Sequence, residues 1–557
     1  MPRQTTSLSK APSKAQGGRG SNTPRRQVRP ERDFALLRRE TMASETALPG
    51  SGGGPGPVRA VVLYPGPYKE GMASLSVHVL LDLFNREPCE AERAFLFPEA
   101  TQPVRTLESG SALGDTHVVL ATVPFEMQFP ALAKMLEDSG VPALARERGE
   151  ENPVVIVGGP AVTMNAAPVA AIADLAYLGE VEARAEEIRA ALGRSTGKPR
   201  AEIVAELATV PGMVDCAAWM TGRLKAPIEV QHVGDVDAYV PRSMIVAGAA
   251  ELRGRALIEV SRGCPHWCRF CLARQLQHPF RPRSVEVVAA AMREIAAGAK
   301  EVGLIAADFL DHPQAAELVE AATAIGLKVS VSSLRMDRAA KGPRVLELLR
   351  AAGQRTITMA PEAAREPLRA AIGKPISHEV FMAAIGAVVE AGFPRLKLYF
   401  MLGLPGEVDE DAEALGELLG EVRAAAPEVD VSASASCFVP KAGTVFEGEE
   451  FADQATLQRR TKIVKRAAAK IGVKLETESP RLAMVQAVLA RGGFEIGELI
   501  ASEEVREGGA AALPAAMTKV GMDAEKYARV GSKERPWRQT GTGDASGDRH
   551  RRTQHDI

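Results

Sequence analysis

From residue 59 to residue 436 the chain alternates short apolar runs with stretches of helical periodicity, and that alternation admits few folds. In the first half, RAVVLYPG (59–66), AERAFLFP (91–98), THVVLATVP (116–124) and PVVIVGGP (153–160) read as strands. Segments 72–86, 128–140 and 181–193 read as helices between and after them. Strands this apolar need cover on both faces, so the expected unit is a parallel, doubly wound sheet. Ligands of such sheets lie beyond the strand C-terminal ends, where the loops PGPYKEG and GGPAVTMN fall. The alternation resumes at 255, with strands expected at 256–261, 301–306, 327–333, 355–360, 395–402 and 429–436. Helical patterns at 284–298, 313–325, 342–352, 378–391 and 409–425 separate them. Six β/α units at this spacing form a barrel or part-barrel, whose chemistry sits on the loops after the strands.

The fold class expected is therefore α/β: an N-terminal doubly wound sheet, a (βα)6 part-barrel and a small, mainly helical C-terminal cap. The expected boundaries are 58–194 for the first domain, 195–254 for a bridging segment, 255–447 for the part-barrel and 448–532 for the cap, in which VKLETE suggests one short strand. Residues 1–57 and 533–557 are rich in Gly, Pro, Ser, Arg and Gln, and read as a disordered basic arm and a disordered tail. The formal charge of the 557 residues is only −2, so no overall field recruits nucleic acid or acidic lipid. No apolar run is long enough to span a bilayer and no signal-peptide pattern opens the chain, so a cytoplasmic protein with no membrane partner is expected.

Three of the six cysteines crowd into SRGCPHWCRFCLARQ (261–275), directly after the first barrel strand. Cys264, Cys268 and Cys271 are spaced C-x3-C-x2-C. Three thiolates on one loop can hold three corners of a cubane iron–sulfur cluster and leave the fourth iron open for a ligand. A zinc site would normally close with four ligands, and His266 or His278 could supply the fourth; three unligated thiols are the remaining reading. Cys89, Cys216 and Cys437 stand alone among apolar residues and read as buried hydrophobes.

On this cysteine motif the chain resembles the radical S-adenosylmethionine (SAM) superfamily, over roughly residues 255–445. The resemblance implies a [4Fe–4S] cluster on the three cysteines, with SAM chelated at the open iron and cleaved on reduction. Phe270 matches the aromatic residue common before the third cysteine. LKLYFMLGLPGE (396–407) is similar to the family's fifth-strand region, which implies that Lys397, Gly403 and Gly406 lie on the SAM side. Glu362, after the fourth strand, and Ser332 and Arg335, after the third, are implied SAM contacts; Glu362 as a plain helix cap is the alternative. The family's second-strand G-G-E motif is replaced by IAADFLDHP (305–313), with Asp308 and Asp311 as candidate substitutes.

A doubly wound domain ahead of such a barrel resembles the cobalamin-binding radical SAM group, including uncharacterised bacterial members. Aligned with the cobalamin loop D-x-H-x-x-G on Gly71, the chain has Gly66 at the aspartate and Tyr68 at the histidine. His78 lies too far into the helix to replace it. Gly158 and Gly159 match a later element that passes close to a corrin tail. The resemblance implies a cobalamin-side loop of Tyr68, Gly71, Gly158 and Gly159 and cobalamin without a histidine axial ligand; another ligand, or a scaffold role, are the alternatives. The expected function is radical SAM chemistry on an unknown substrate, with methyl transfer if cobalamin binds. A flavodoxin- or ferredoxin-type donor would supply electrons, and nucleic acid is not the expected partner. Two other readings are a methylthiotransferase-like enzyme acting on tRNA or protein, which would need a second cluster, and a non-enzymatic iron–sulfur or RNA-binding regulator.

Overall fold

Strands β2 (Val58–Pro67), β3 (Cys89–Leu96), β4 (Val118–Thr122), β5 (Val154–Gly158), β6 (Leu175–Tyr177) and β7 (Met213–Asp215) form one sheet in the order β3-β2-β4-β5-β6-β7. The computed structural model describes residues 32–50, 53–54, 56–100, 103–224, 228–252 and 254–540. All neighbours in this sheet are parallel except β6 and β7. The order reverses between β2 and β4, the place where a doubly wound sheet opens a crevice. One face carries Val62, Leu120, Ile156 and Leu175 and is covered by helices Leu75–Phe84 and Ala185–Arg194. The other carries Val61, Val119 and Val155 and packs on helix Phe129–Asp138.

The second unit is built on β9 (Ala256–Glu259), β12 (Glu301–Ile305), β13 (Lys328–Val331), β15 (Thr356–Glu362), β16 (Arg395–Leu402) and β17 (Asp430–Cys437), parallel throughout. A kink at Ser332 divides the third strand into β13 and β14 (Ser333–Leu334), which pairs with β15. Helices Val285–Ala296, Ala315–Ala324, Pro343–Ala351, His378–Glu390 and Asp409–Ala425 cover the outer face. The expected α/β class, doubly wound sheet and part-barrel are what the chain forms.

Several boundaries differ from expectation, each where apolar residues find cover that sequence periodicity does not reveal. Within the segment read as a disordered arm, Asp33 caps helix Phe34–Ala43, and β1 (Glu45–Ala47) pairs with β8 (Ile245–Ala247). Phe34 packs edge-on to Phe97, and the Glu45 carboxylate pairs with the buried Arg93 at 2.7 Å. The first 31 residues of that arm lie outside the described residues. β7, in the bridging segment, closes the first sheet. β18 (Lys474–Thr477), from the cap, adds to the barrel sheet beside β17. Pro536–Thr540, in the segment read as a disordered tail, forms a helical turn that buries Trp537, whose indole donates to Glu447 at 3.0 Å; residues 541–557 lie outside the described residues.

Candidate active site

The cysteine loop leaves β9 through a two-stranded clip of β10 (Ser261–Arg262) and β11 (Arg281–Pro282). Gly263, at φ +79°, lies so close to the end of helix Leu272–Gln277 that a Cβ would sit 2.3 Å from the Gln277 carbonyl. Cys264, Cys268 and Cys271 are free thiols, all half-buried. Burial pushes the Cys264 thiol up to about 11, and the charges of Cys271 and Cys268 add to the rise, so the three share one environment. Arg335 Nη1 approaches Cys268 Sγ at 3.7 Å. Phe270 packs into a small apolar cluster with Leu368, Ile372 and Phe446 beside the loop.

His266 does not join the thiols. Its Nε2 pairs with Asp311 Oδ2 at 2.7 Å, and Arg338 holds the other Asp311 oxygen at 2.8 Å. Asp308, Asp311 and His266 hold their donor atoms within 4.8 Å of one another. Asp308 is buried, and its Oδ2 has no hydrogen-bond partner among the described residues. Burial, then the neighbouring Asp311, pushes its carboxyl up to about 6. An orphaned carboxylate oxygen beside the cysteine loop suits a cationic group such as the SAM ammonium.

Glu362 ends β15 at φ +67°, a left-handed conformation that costs a non-glycine residue about 1–2 kcal/mol. The register slips between Met359 and Glu362 to make that turn. Burial raises the Glu362 carboxyl, while Lys374, 3.1 Å away, and the charge of Arg335 oppose the rise. Ser332 Oγ sits 3.5 Å from the Ala306 carbonyl, at the same strand ends. Ser332, Arg335 and Glu362 are thus gathered with Cys268 at the mouth of the part-barrel.

Lys397 is not there. It pairs with Thr358 and Ser432 in mid-sheet, and its ammonium contacts Glu476 of β18 at 3.2 Å. Lys397 and Tyr399 face inward, as do Ser432, Ser434 and Ser436, whereas Leu396, Leu398, Ala433 and Ala435 are buried under the helices. Tyr399 is 38% exposed, so the lumen is open. Gly403 has a packing reason: at φ +86°, a Cβ would meet Leu457 at 2.8 Å. Its amide donates to the buried Glu407 carboxylate, which also takes Arg460 Nη1 at 2.6 Å. Gly406, at φ +79°, borders open space.

A second cavity opens at the C-terminal ends of β4, β5 and β6. Thr122, Gly158, Gly159, Thr163 and Glu180 line it from the first domain, and Glu259, Arg262, Leu276 and Gln277 from the barrel. Tyr68 and Gly71, expected on this loop, do not line it. Tyr68 is buried with its hydroxyl on Glu45 Oε1 at 2.7 Å and its ring on Phe95 and Phe97, because the Glu45–Arg93 pair offers the phenol a partner. Gly71 is pressed against Phe95, 2.4 Å from where its Cβ would be. His78 is fully buried: Met244 N–H donates to its Nδ1, its Nε2 meets the Met72 carbonyl, and burial lowers the imidazole to about 4. Gly158 reaches the cavity, and Gly159, at φ +103°, is required by its contact with the Val123 backbone.

Between cavity and cysteine loop lies a charge network that sequence reading missed. Arg262, two residues before Cys264, donates to Glu182 at 2.7 Å and to Glu259, and pairs with Glu180 at 3.2 Å. Arg281 donates to Glu180, and Arg283 to Glu259. Burial works against the Glu180 charge, but hydrogen bonds from His232 and Arg281 and the charge of Arg262 hold its carboxyl down at about 2. The one available sequence signal was position: all these residues stand at or close to strand ends.

Two protein families match the chain, one in each domain. Residues 258–419 match the radical SAM superfamily, and residues 76–214 match the family described as radical SAM proteins, N-terminal. An uncharacterised protein of Methanocaldococcus jannaschii, MJ0966, is 28% identical over 79% of this chain and 90% of its own length. The ribosomal protein uS12 methylthiotransferase RimO of Acaryochloris marina is 27% identical over 35% of this chain, spanning 47% of that protein. Among solved structures, the radical SAM methyltransferase TsrM from Kitasatospora setae, with cobalamin and a [4Fe–4S] cluster bound, is 14% identical at a TM-score of 0.49, covering 83% of this chain and 99% of that one. The cobalamin-dependent SAM radical enzyme OxsB is 13% identical at 0.43, covering 86% and 79%. With its cysteine loop after the first strand of a parallel part-barrel and both of its domains matched, the chain belongs to the radical SAM superfamily.

Proposed function

We propose that this radical SAM enzyme binds a corrinoid between its two domains and transfers a methyl group to a substrate held in the barrel lumen. The observation that carries the reading is the cavity at the strand ends of the first domain, whose far wall is Glu259 and Arg262, next to the cysteine loop. A ligand there would lie within reach of whatever the cysteines hold. Cys264, Cys268 and Cys271 would hold the cluster. Asp308 and Glu362 would orient SAM, and Arg335 would place a positive charge beside Cys268. When bound, the cluster supplies an electron to SAM and the corrinoid carries the methyl group; the protein's part is to orient them and exclude water. With the imidazole of His78 sealed in the core, no histidine of that helix would ligate cobalt.

The methylthiotransferase reading needs a second cluster in the first domain. Its two cysteines there, Cys89 and Cys216, sit at β3 and just after β7, the opposite edges of the six-stranded sheet, and both are buried. They cannot share a cluster. The deciding experiment is anaerobic reconstitution with iron, sulfide and hydroxocobalamin, followed by metal counts and a SAM-cleavage assay. About four irons and one cobalt per chain, with reductive SAM cleavage, are expected. About eight irons without cobalt would replace this reading with the methylthiotransferase one, and no cubane signature would remove both.

A further inference from the structure

Arg335 caps the short helix Met336–Ala339 that follows the kinked third strand, and its side chain is only 11% exposed. One edge of its guanidinium is spent two residues along the chain. Nε donates to Asp337 Oδ1 at 3.0 Å and Nη2 to Asp337 Oδ2 at 3.3 Å. That bidentate fork fixes the plane of the group. Nη1 is left, and it donates to Cys268 Sγ.

The three cysteines of the loop are therefore not equivalent. Backbone amides serve two of them, that of His266 at Cys264 and those of Ala273 and Arg274 at Cys271. Cys268 is the one that takes a charged donor from among the described residues. The family resemblance makes Arg335 a SAM contact. Yet the edge that would grip a carboxylate side-on is already held by Asp337, and the remaining nitrogen faces sulfur.

We propose that Arg335 is a positioning residue that acts through Cys268 to raise the reduction potential of the cluster, with Asp337 holding the guanidinium in place. The proposal rests on the cluster reading of the three cysteines. The step concerned is transfer of one electron from an external low-potential reductant to the oxidised cluster; no bond forms or breaks. The added electron makes the thiolate-bound cage one charge more negative. A cationic N–H donor against one of its sulfurs stabilises that state more than the oxidised one. The guanidinium is shielded from water, so solvent and salt screen this preference little.

The test is an anaerobic redox titration of the reconstituted, full-length protein without SAM, read from the electron paramagnetic resonance signal of the reduced cluster. Arg335→Met should disfavour reduction by about tenfold, a fall in midpoint of about 59 mV for one electron. That variant leaves Asp337 without its counter-charge. Arg335→Met/Asp337→Asn removes the pair together, and its midpoint should also lie below that of the wild type. SAM retention by the oxidised variants, read by equilibrium dialysis, should match the wild type. A wild-type midpoint in the double variant would overturn the tuning role. So would weakened SAM binding at an unchanged midpoint, which would make Arg335 a SAM contact. Loss of iron from both variants would assign Arg335 to the folding of the loop and overturn it as well. A wild-type chain with no cubane signal would remove the cluster reading, and the proposal with it.

Discussion

Cys268 is the proposed ligand whose surroundings are most specific, with Arg335 against its sulfur. Cys268→Ser should reduce iron from about four per chain to near zero while the far-ultraviolet circular dichroism stays that of the folded protein. Glu362 tests the other side of the mouth. Glu362→Gln keeps the side-chain shape but removes the charge facing Lys374, so a loss of about 1–3 kcal/mol in stability and weaker SAM binding are expected, read by denaturant unfolding and equilibrium dialysis. At the cavity, Gly158 has no positive φ, and a Cβ there would meet Tyr177 at ordinary contact distance, its carbonyl at 3.6 Å and its Cβ at 3.9 Å. Gly158→Leu should thus fold normally yet obstruct the mouth, lowering corrin retention without lowering iron content. Unchanged corrin retention in that variant would place the ligand elsewhere.

At the scale of elements, the clip of β10 and β11 ties the cysteine loop to the first domain through Arg262, Arg281 and Glu180. The folded Glu180 carboxyl, at about 2, lies below its ordinary 4.5. Its contribution is therefore fully present above pH 4.5 and is lost as pH falls toward 2. The difference is worth roughly 3 kcal/mol at neutral pH. Glu180→Gln should lower stability at pH 7 and flatten its acid dependence between pH 4.5 and 2, as read from thermal midpoints across pH. The barrel sheet adds a second element-scale feature. Serines alternate with alanines along β17, so small polar residues line the lumen beside Tyr399 while the alanines take the helices. β18, from beyond the part-barrel, completes that wall with Glu476.

Across the whole molecule, the larger core runs without interruption from Val61 and Val119 in the first sheet through Ile258 and Leu398 in the barrel to Val485 and Val488 near the C-terminus. Lys441, on the loop after β17, reaches the buried Glu126 of the first domain, and Gln486 joins them at 2.9 Å. A shared core and a buried ion pair across the domains predict one cooperative unfolding transition, seen alike by fluorescence and circular dichroism. Lys441→Met would leave Glu126 buried without its counter-charge and should cost about 3 kcal/mol. Separate transitions for the two domains in the wild-type chain would contradict this account.

Local pattern alone determined the β/α alternation, the two-domain plan and the cysteine loop, because strand and helix periodicity and the C-x3-C-x2-C spacing are properties of adjacent residues. It also placed Ser332, Arg335 and Glu362 near strand ends, which converge at a barrel mouth, while their contact with SAM was implied by the family resemblance alone. Tertiary structure decided what depends on distant partners. Tyr68 turns to Glu45, some twenty residues earlier in the chain, rather than to the cavity. Lys397 stays in mid-sheet because Glu476 of a later strand holds it. Residues 34–50 are ordered because β8 and Arg93 receive them. The cavity itself exists only where two domains meet, and no run of neighbouring residues encodes that meeting.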